Sequence, residues 1–124
     1  MTLKIGIVLG ATRGIGRALG EALARRWGDA GIVYLTARRQ SDAEAMLAEL
    51  GTRGVCVQSL LFDLADNQAP SRVAELLRER HGGVDVVVQN AAYMPRVGES
   101  IARPSRASVE AMLSVLGARR PLAI

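Results

Sequence analysis

The chain has 124 residues, of which 49% are hydrophobic and only 3% aromatic, so its core must be aliphatic. This length allows one domain, residues 1–124, with no second domain. The net charge is +4, but no basic run exceeds two residues and stacking aromatics are scarce, which argues against a nucleic-acid-binding function.

The sequence supports neither a membrane-spanning helix nor an internal disulfide. The apolar stretch within residues 1–9 is too short for a membrane-spanning helix and is better explained as a strand. The single cysteine, Cys56, allows no internal disulfide, and we expect it to be a small buried residue of a strand. The default location for such a chain is cytoplasmic.

The first predicted unit is a strand followed by a glycine-rich turn and a helix. Residues 5–9 are apolar except for Gly6, as in a strand buried on both faces. A tight turn with close approach of the backbone to a ligand is then permitted by Gly10, Gly14 and Gly16. The following residues place an apolar face on an amphipathic helix, at Ile15, Ala18, Leu19, Ala22 and Leu23.

A phosphate at the start of this helix would meet free N–H groups and the positive end of the helix dipole. The glycine spacing alone leaves an ordinary turn as an alternative. The strand before it and the helix after it favour a nucleotide-binding loop.

The second unit begins with a strand over residues 31–37. Ser41 and Glu44 form a capping-box pattern at the start of a helix with a regular apolar stripe. Gly51 is the expected end of this helix.

Two further units complete the pattern. Residues 55–62 predict a third strand, followed by a helix that closes at residues 81–83. Residues 84–88 predict a fourth strand, and residues 104–117 a last helix. This alternation predicts a parallel, right-handed, doubly wound sheet with strand order 3-2-1-4.

The end of the second strand indicates which dinucleotide the loop would bind. An NAD site usually has an acidic residue about 20 residues after the glycine turn. Arg38 and Arg39 occupy that region instead, and Arg13 in the glycine loop is expected nearby. Guanidinium groups suit a 2′-phosphate, so the pattern favours NADP(H). The alternative is that both arginines merely solvate a loop.

The spacing Gly10-Ala11-Thr12-Arg13-Gly14-Ile15-Gly16 resembles the short-chain dehydrogenase/reductase family, whose first turn reads Thr-Gly-three residues-Gly-X-Gly. The family's leading Thr is Leu9 here. The resemblance implies a Rossmann-like α/β fold, of which this chain would be a C-terminally truncated first half. It also implies an NADP-binding site at Gly10, Thr12, Arg13, Gly14, Ile15, Gly16, Arg38, Arg39, Asp63, Leu64, Asn90 and Ala91.

Two of these positions have simpler alternatives. In the family an Asp at the place of Asp63 contacts adenine, but an Asp there also ends a strand or caps a turn. Asn90 and Ala91 match two positions of the family's Asn-Asn-Ala-Gly, whereas Gln89 and Ala92 depart from it. Without the resemblance, Asn90 would be only a turn former.

Within the family, residues 33–90 look most like the carbonyl reductases. Thr-Ala-Arg after the second strand, a helix ending in His-Gly-Gly, and Val-Asp-Val-Val-Val carry this likeness. It implies NADPH-dependent reduction of small aldehydes, ketones or quinones.

The family's catalytic residues have no counterparts here. Its chemistry uses a Tyr with a Lys four residues later, because an unperturbed Tyr is a poor acid at neutral pH. The tyrosines are Tyr34 and Tyr93, the only lysine is Lys4, and no such pair exists. Ser114 stands at the family's Asn position. We therefore expect no catalytic residue and no metal ligand in this chain, which should be inactive alone.

Two functional hypotheses follow. The chain is the cofactor-binding portion of a carbonyl-reductase-like oxidoreductase, or it is a noncatalytic NADP-binding or interaction protein. The second hypothesis depends on the fourth strand being an open edge, flanked by Val86, Val87 and Val88, that pairs with itself or a partner.

Overall fold

A computed structural model describes residues 3–12, 14–63, 65–90 and 122–123. Strands and helices alternate in the order β1 (Lys4–Leu9), α1 (Gly14–Trp27), a 3-10 turn (Gly28–Ala30), β2 (Gly31–Ala37), α2 (Gln40–Thr52), β3 (Gln58–Leu61), α3 (Ala69–His81), β4 (Val86–Gln89) and β5 (Leu122–Ala123). All strand pairs are parallel and the sheet order is β3-β2-β1-β4-β5. The doubly wound sheet and its 3-2-1-4 order are therefore confirmed.

The fourth strand is not the edge that the sequence pattern suggested. β5 pairs with it in parallel, with Val86 opposite Leu122 and Val87 opposite Ala123. Val87 and Val88 are also buried. The expectation of an open, apolar β4 edge is thus wrong, because β5 supplies backbone partners that an edge strand would lack. The predicted helix over residues 104–117 lies outside the described residues.

Helices cover both faces of the sheet, as the nearly continuous apolar character of β1 predicts. Alternate residues of β1 enter two clusters on opposite faces. Ile7 packs in the cluster that includes α3, whereas Val8 packs in the cluster that includes α2. Tyr34 and Leu35 divide between the same two faces on β2.

The first half of helix α1 packs on the sheet through glycines, and most of its predicted apolar face is exposed. Ile15 is 72% exposed and Leu19 is 43% exposed. The buried residues of α1 are Gly16 and Gly20. A Cβ on Gly20 would overlap the Leu35 side chain of β2, so only glycine allows this close approach. Ala18 and Ala22 are exposed as well, and only Leu23 of the predicted face is partly buried, in the cluster beside α2.

The ends of several elements differ from the sequence-based expectation. The N-cap of α2 is Arg39 with no side-chain hydrogen bond, so Ser41 lies inside the first turn and the capping box is not formed. β3 is shorter than predicted, and Cys56 precedes it as an exposed residue, not a buried strand residue. α3 ends as predicted, because Gly82 takes the left-handed conformation with φ 76°. No helix within the described ranges has the length and apolar character needed to span a bilayer.

Candidate functional site

The carboxyl ends of the central strands lie together at one edge of the sheet. The Asn90 N–H donates to the Leu9 carbonyl at 3.0 Å, which joins the end of β4 to the end of β1. The Phe62 N–H donates to the Ala37 carbonyl at 2.9 Å, which joins the residues after β3 to the end of β2. In open α/β sheets, ligands bind outside this edge.

Gly10, the first residue after β1, is held from two sides. Its N–H donates to Thr36 Oγ1 at 2.9 Å, and its carbonyl accepts from Asn90 Nδ2 at 3.3 Å. Its φ of 80° lies in the left-handed region, which favours glycine. The sequence pattern identified Gly10 and Asn90 but not Thr36, which was only the end of a strand.

The glycine pair at the start of α1 performs two different roles. Gly16 sits against Gly10, because a Cβ on Gly16 would overlap the Gly10 carbonyl oxygen and lie 2.6 Å from Asn90 Nδ2. Gly14 has φ 66° and no neighbouring atom within 4 Å of its would-be Cβ, so its surroundings are open. No acidic residue occupies the first turn of α1. The start of α1 is therefore packed tightly against Gly10 at Gly16, whereas its Gly14 side is accessible to an anion.

Arg17 is a site residue that the sequence interpretation missed. Its Nη1 donates to the Thr12 carbonyl at 3.4 Å, and its Nη2 lies 2.7 Å from Glu49 Oε2 of α2. Its Nε and Nη2 are buried without a hydrogen bond, since the Glu49 contact lacks hydrogen-bond geometry. Arg17 thus joins the glycine loop to α2.

The contact of Arg17 is one end of a chain of alternating charges between α1 and α2. Arg53 lies 3.3 Å from Glu49 and 3.4 Å from Glu21. Glu21 in turn pairs with Arg25 at 3.3 Å. Arg17, Glu21 and Arg25 are spaced by four residues, and this spacing is the signal that would have identified the charged face of α1.

Arg38 and Arg39 stand exposed where β2 leads into α2. Neither forms an ion pair within the described ranges, in contrast to Arg17 and Arg53. Two unneutralised guanidinium groups at the carboxyl edge favour an anionic ligand there. Arg13, expected beside them, lies outside the described residues.

The remaining predicted site positions are less fully described. Asp63 is exposed, and its Oδ1 accepts a hydrogen bond from the Ala65 N–H at 2.9 Å, so it caps the next turn. That is the simpler of its two interpretations, and contact with a ligand stays a prediction. Leu64 and Ala91 lie outside the described residues.

Neither Tyr34 nor Lys4 is placed for chemistry at this edge. Tyr34 is 1% exposed, and its hydroxyl lies 2.7 Å from His81 Nε2 at the end of α3. Lys4 begins β1 and so lies at the amino end of the sheet, away from the loop. Tyr93 and Ser114 lie outside the described residues. Among the described residues, no group of three His, Cys, Asp or Glu side chains is arranged to hold a metal ion.

Comparison with known proteins yields one consistent family. Residues 4–116 match the family described as short chain dehydrogenase. The chain is 36% identical over 89 residues to carbonyl reductase (NADPH) 1 of Sus scrofa, a match that covers 72% of this chain and 30% of that one. It is 39% identical over 88 residues to the 3-oxoacyl-(acyl-carrier-protein) reductase of Escherichia coli, covering 71% and 34% respectively.

A solved structure agrees with these relatives. The alcohol dehydrogenase of Thermococcus sibiricus, in complex with 5-hydroxy-NADP, superposes with a TM-score of 0.69 at 29% identity. That match covers 98% of this chain and 56% of the other. The matched region is about a third of the length of the two curated relatives.

Proposed function

The chain belongs to the short-chain dehydrogenase family, and on that basis we propose that it binds NADP(H) as the cofactor-binding portion of an oxidoreductase. Members of this family use NAD(P). The observation that carries the choice of NADP is the end of β2, where Arg38 and Arg39 stand exposed and unpaired in the described part of the chain. A 2′-phosphate is the feature that distinguishes NADP from NAD, and guanidinium groups bind it through charge-assisted hydrogen bonds.

The glycine loop fits the pyrophosphate that both cofactors share. The loop can approach a ligand closely because no atom lies near the would-be Cβ of Gly14. The first turn of α1 offers N–H donors and contains no acidic residue that would compete for them. Asn90 would lie beside the nicotinamide ribose and Asp63 beside the adenine. Ala91 and Leu64 follow them in the sequence and belong to the same proposed site. The nicotinamide of a bound NADPH supplies a hydride.

The substrate class belongs to the proposal as well. Relatives named as NADPH-dependent carbonyl reductases are 36% and 35% identical to this chain. A relative that acts on acyl-carrier-protein substrates is 39% identical, so identity alone does not select between them. The sequence features at the ends of β2 and α3 favour aldehydes, ketones or quinones.

We further infer that this chain alone holds the cofactor without transferring its hydride. No Tyr in the sequence has a Lys four residues later. Tyr34 does not serve as the acid, since it is buried and bonded to His81. The alternative of a protein that pairs through a free β4 edge loses its support, because β5 occupies that edge.

Isothermal titration calorimetry of the 124-residue chain with NADPH and NADH tests the cofactor. We expect tighter binding of NADPH, and a loss of about 5- to 30-fold in NADPH affinity on Arg38→Ala or Arg39→Ala, with little change for NADH. This corresponds to about 1–2 kcal/mol for a partly exposed charged hydrogen bond. Arg26→Ala is the matched control, since Arg26 is exposed in the last turn of α1.

Equal affinity for the two cofactors would refute the choice of NADP, and no binding of either would refute the proposed function. NADPH oxidation in the presence of aldehydes and quinones tests the second part. We expect binding without turnover, and steady turnover by the chain alone would contradict that inference.

A further inference from the structure

We propose that Thr36 is a positioning residue for the glycine loop and keeps Gly10 in the conformation that receives the pyrophosphate. This inference rests on the proposed function of the loop. Among the described residues, only Tyr34 and Thr36 are buried with a polar group on the side chain, and Thr36 is 2% exposed. Its hydroxyl oxygen accepts the Gly10 N–H at 2.9 Å, across 26 positions of sequence.

The residue that precedes the loop, Leu9, offers Gly10 no side-chain hydrogen bond on this side. Leu9 points into the core on the α3 face and is 1% exposed, so it offers no polar group to the loop. Gly10 has the greatest backbone freedom of any residue type and is held at φ 80°. The Thr36 hydroxyl is shielded from water, which strengthens its hydrogen bond relative to an exposed one.

The other contacts of the loop complete the restraint. The Gly10 carbonyl is held by Asn90 Nδ2 and packs against Gly16. The Ala11 N–H donates to the Thr36 carbonyl at 3.4 Å. Thr36 therefore contacts two successive loop residues. Removal of its hydroxyl would take away the hydrogen bond of Gly10 to β2, whereas the Ala11 and Asn90 contacts would stay in place.

Thr36 also connects the loop to the other half of the proposed site. It precedes Arg38 by two residues on the same strand end. Because the loop receives the pyrophosphate common to both dinucleotides, loss of the Thr36 hydroxyl should weaken NADPH and NADH by the same factor. Loss of Arg38 should weaken NADPH alone. A loss for both cofactors therefore indicates loop positioning, whereas a loss for NADPH alone indicates 2′-phosphate recognition.

The test is calorimetric titration of the full chain with NADPH and NADH after Thr36→Val, which keeps the shape and removes the hydroxyl. We expect about tenfold weaker binding of both cofactors, because binding must then order a Gly10 backbone that has lost one of its two hydrogen bonds. Thr36→Ser restores the hydroxyl and should bind within about twofold of the wild type. Tyr34→Phe is the matched control: it removes a hydroxyl from the same strand that contacts His81 and not the loop, and should leave both affinities unchanged.

Amide hydrogen exchange of the wild-type chain without cofactor gives a second test that needs no variant to fold. We expect the Gly10 amide to exchange slowly and the Gly14 amide, at the start of α1, to exchange fast. Unchanged affinities for Thr36→Val, failure of Thr36→Ser to restore binding, or equal exchange of the two amides would overturn the role of Thr36. Absence of any wild-type binding would instead overturn the proposed function, and this role with it.

Discussion

A methyl group added at Gly16 probes the packing of the loop on α1 most directly. The new Cβ would overlap the Gly10 carbonyl oxygen and lie 2.6 Å from Asn90 Nδ2. Comfortable heavy-atom contacts begin near 3.5 Å, so the misfit to Asn90 is about 1 Å. The carbonyl oxygen belongs to the backbone and cannot rotate away. We expect Gly16→Ala to lower the free energy of unfolding by about 2–3 kcal/mol, near the upper end for overpacking.

Gly16→Ala should also weaken cofactor binding, since Gly10 and the start of α1 must move apart to make room for the new Cβ. A cost of about 1.4 kcal/mol in the free energy of binding lowers the affinity tenfold, and we expect NADPH affinity to fall by at least that factor. Urea denaturation and calorimetric titration measure the two effects.

Gly51→Ala is the control for Gly16→Ala, because Gly51 lies in α2 and has nothing within 4 Å of its would-be Cβ. Alanine should stabilise this helix position by about 0.5–1 kcal/mol and leave NADPH affinity unchanged. A Gly16→Ala variant that is as stable as the wild type and binds NADPH equally well would contradict the predicted overlap.

Two further predictions concern stability. Tyr34→Phe removes the 2.7 Å hydrogen bond to His81 and should lower the free energy of unfolding in urea by about 1 kcal/mol; an unchanged denaturation midpoint would contradict this. Hydrogen bonds from the Gln68 N–H and the Arg72 side chain hold the pKa of Asp66 below its ordinary value. Because the folded pKa is the lower one, Asp66 stabilises the chain above about pH 4, and this contribution is lost as the pH falls through the folded pKa. Asp66→Asn should therefore lose less stability than the wild type between pH 7 and pH 2.5 in urea denaturation, and an identical loss would refute the assignment.

The sequence predicted the succession of elements because their signals are local. β2 was predicted with the bounds that the structure shows, since Gly31 and the arginines after Ala37 delimit an apolar run. The end of α3 followed from Gly82, which closes the helix in the left-handed conformation. The parallel order 3-2-1-4 followed from alternation and the right-handed crossover rule.

The buried face of α1 differs from the face that the sequence predicted. Helical spacing placed Ile15 and Leu19 on an apolar face, but hydrophobicity ranks glycine low and so misses Gly16 and Gly20, which are buried. Because Gly16 and Gly20 have no Cβ, the helix comes close enough for Gly10 and Leu35 to occupy the space that a Cβ would need. Whether a glycine face is buried depends on how the helix packs against the sheet, not on the helix alone.

The sequence by itself determined the alternating elements, the strand order, and a glycine loop followed by two arginines at the end of β2. Only the tertiary structure decided that Thr36 holds Gly10, that Arg17 contacts Glu49, and that β5 pairs with β4. The physical reason is the distance along the chain over which each interaction acts. Turn preference and periodicity act over a few residues and can be recognised in the chain itself, whereas contacts between distant side chains depend on strand register and helix distance, which the whole sheet sets.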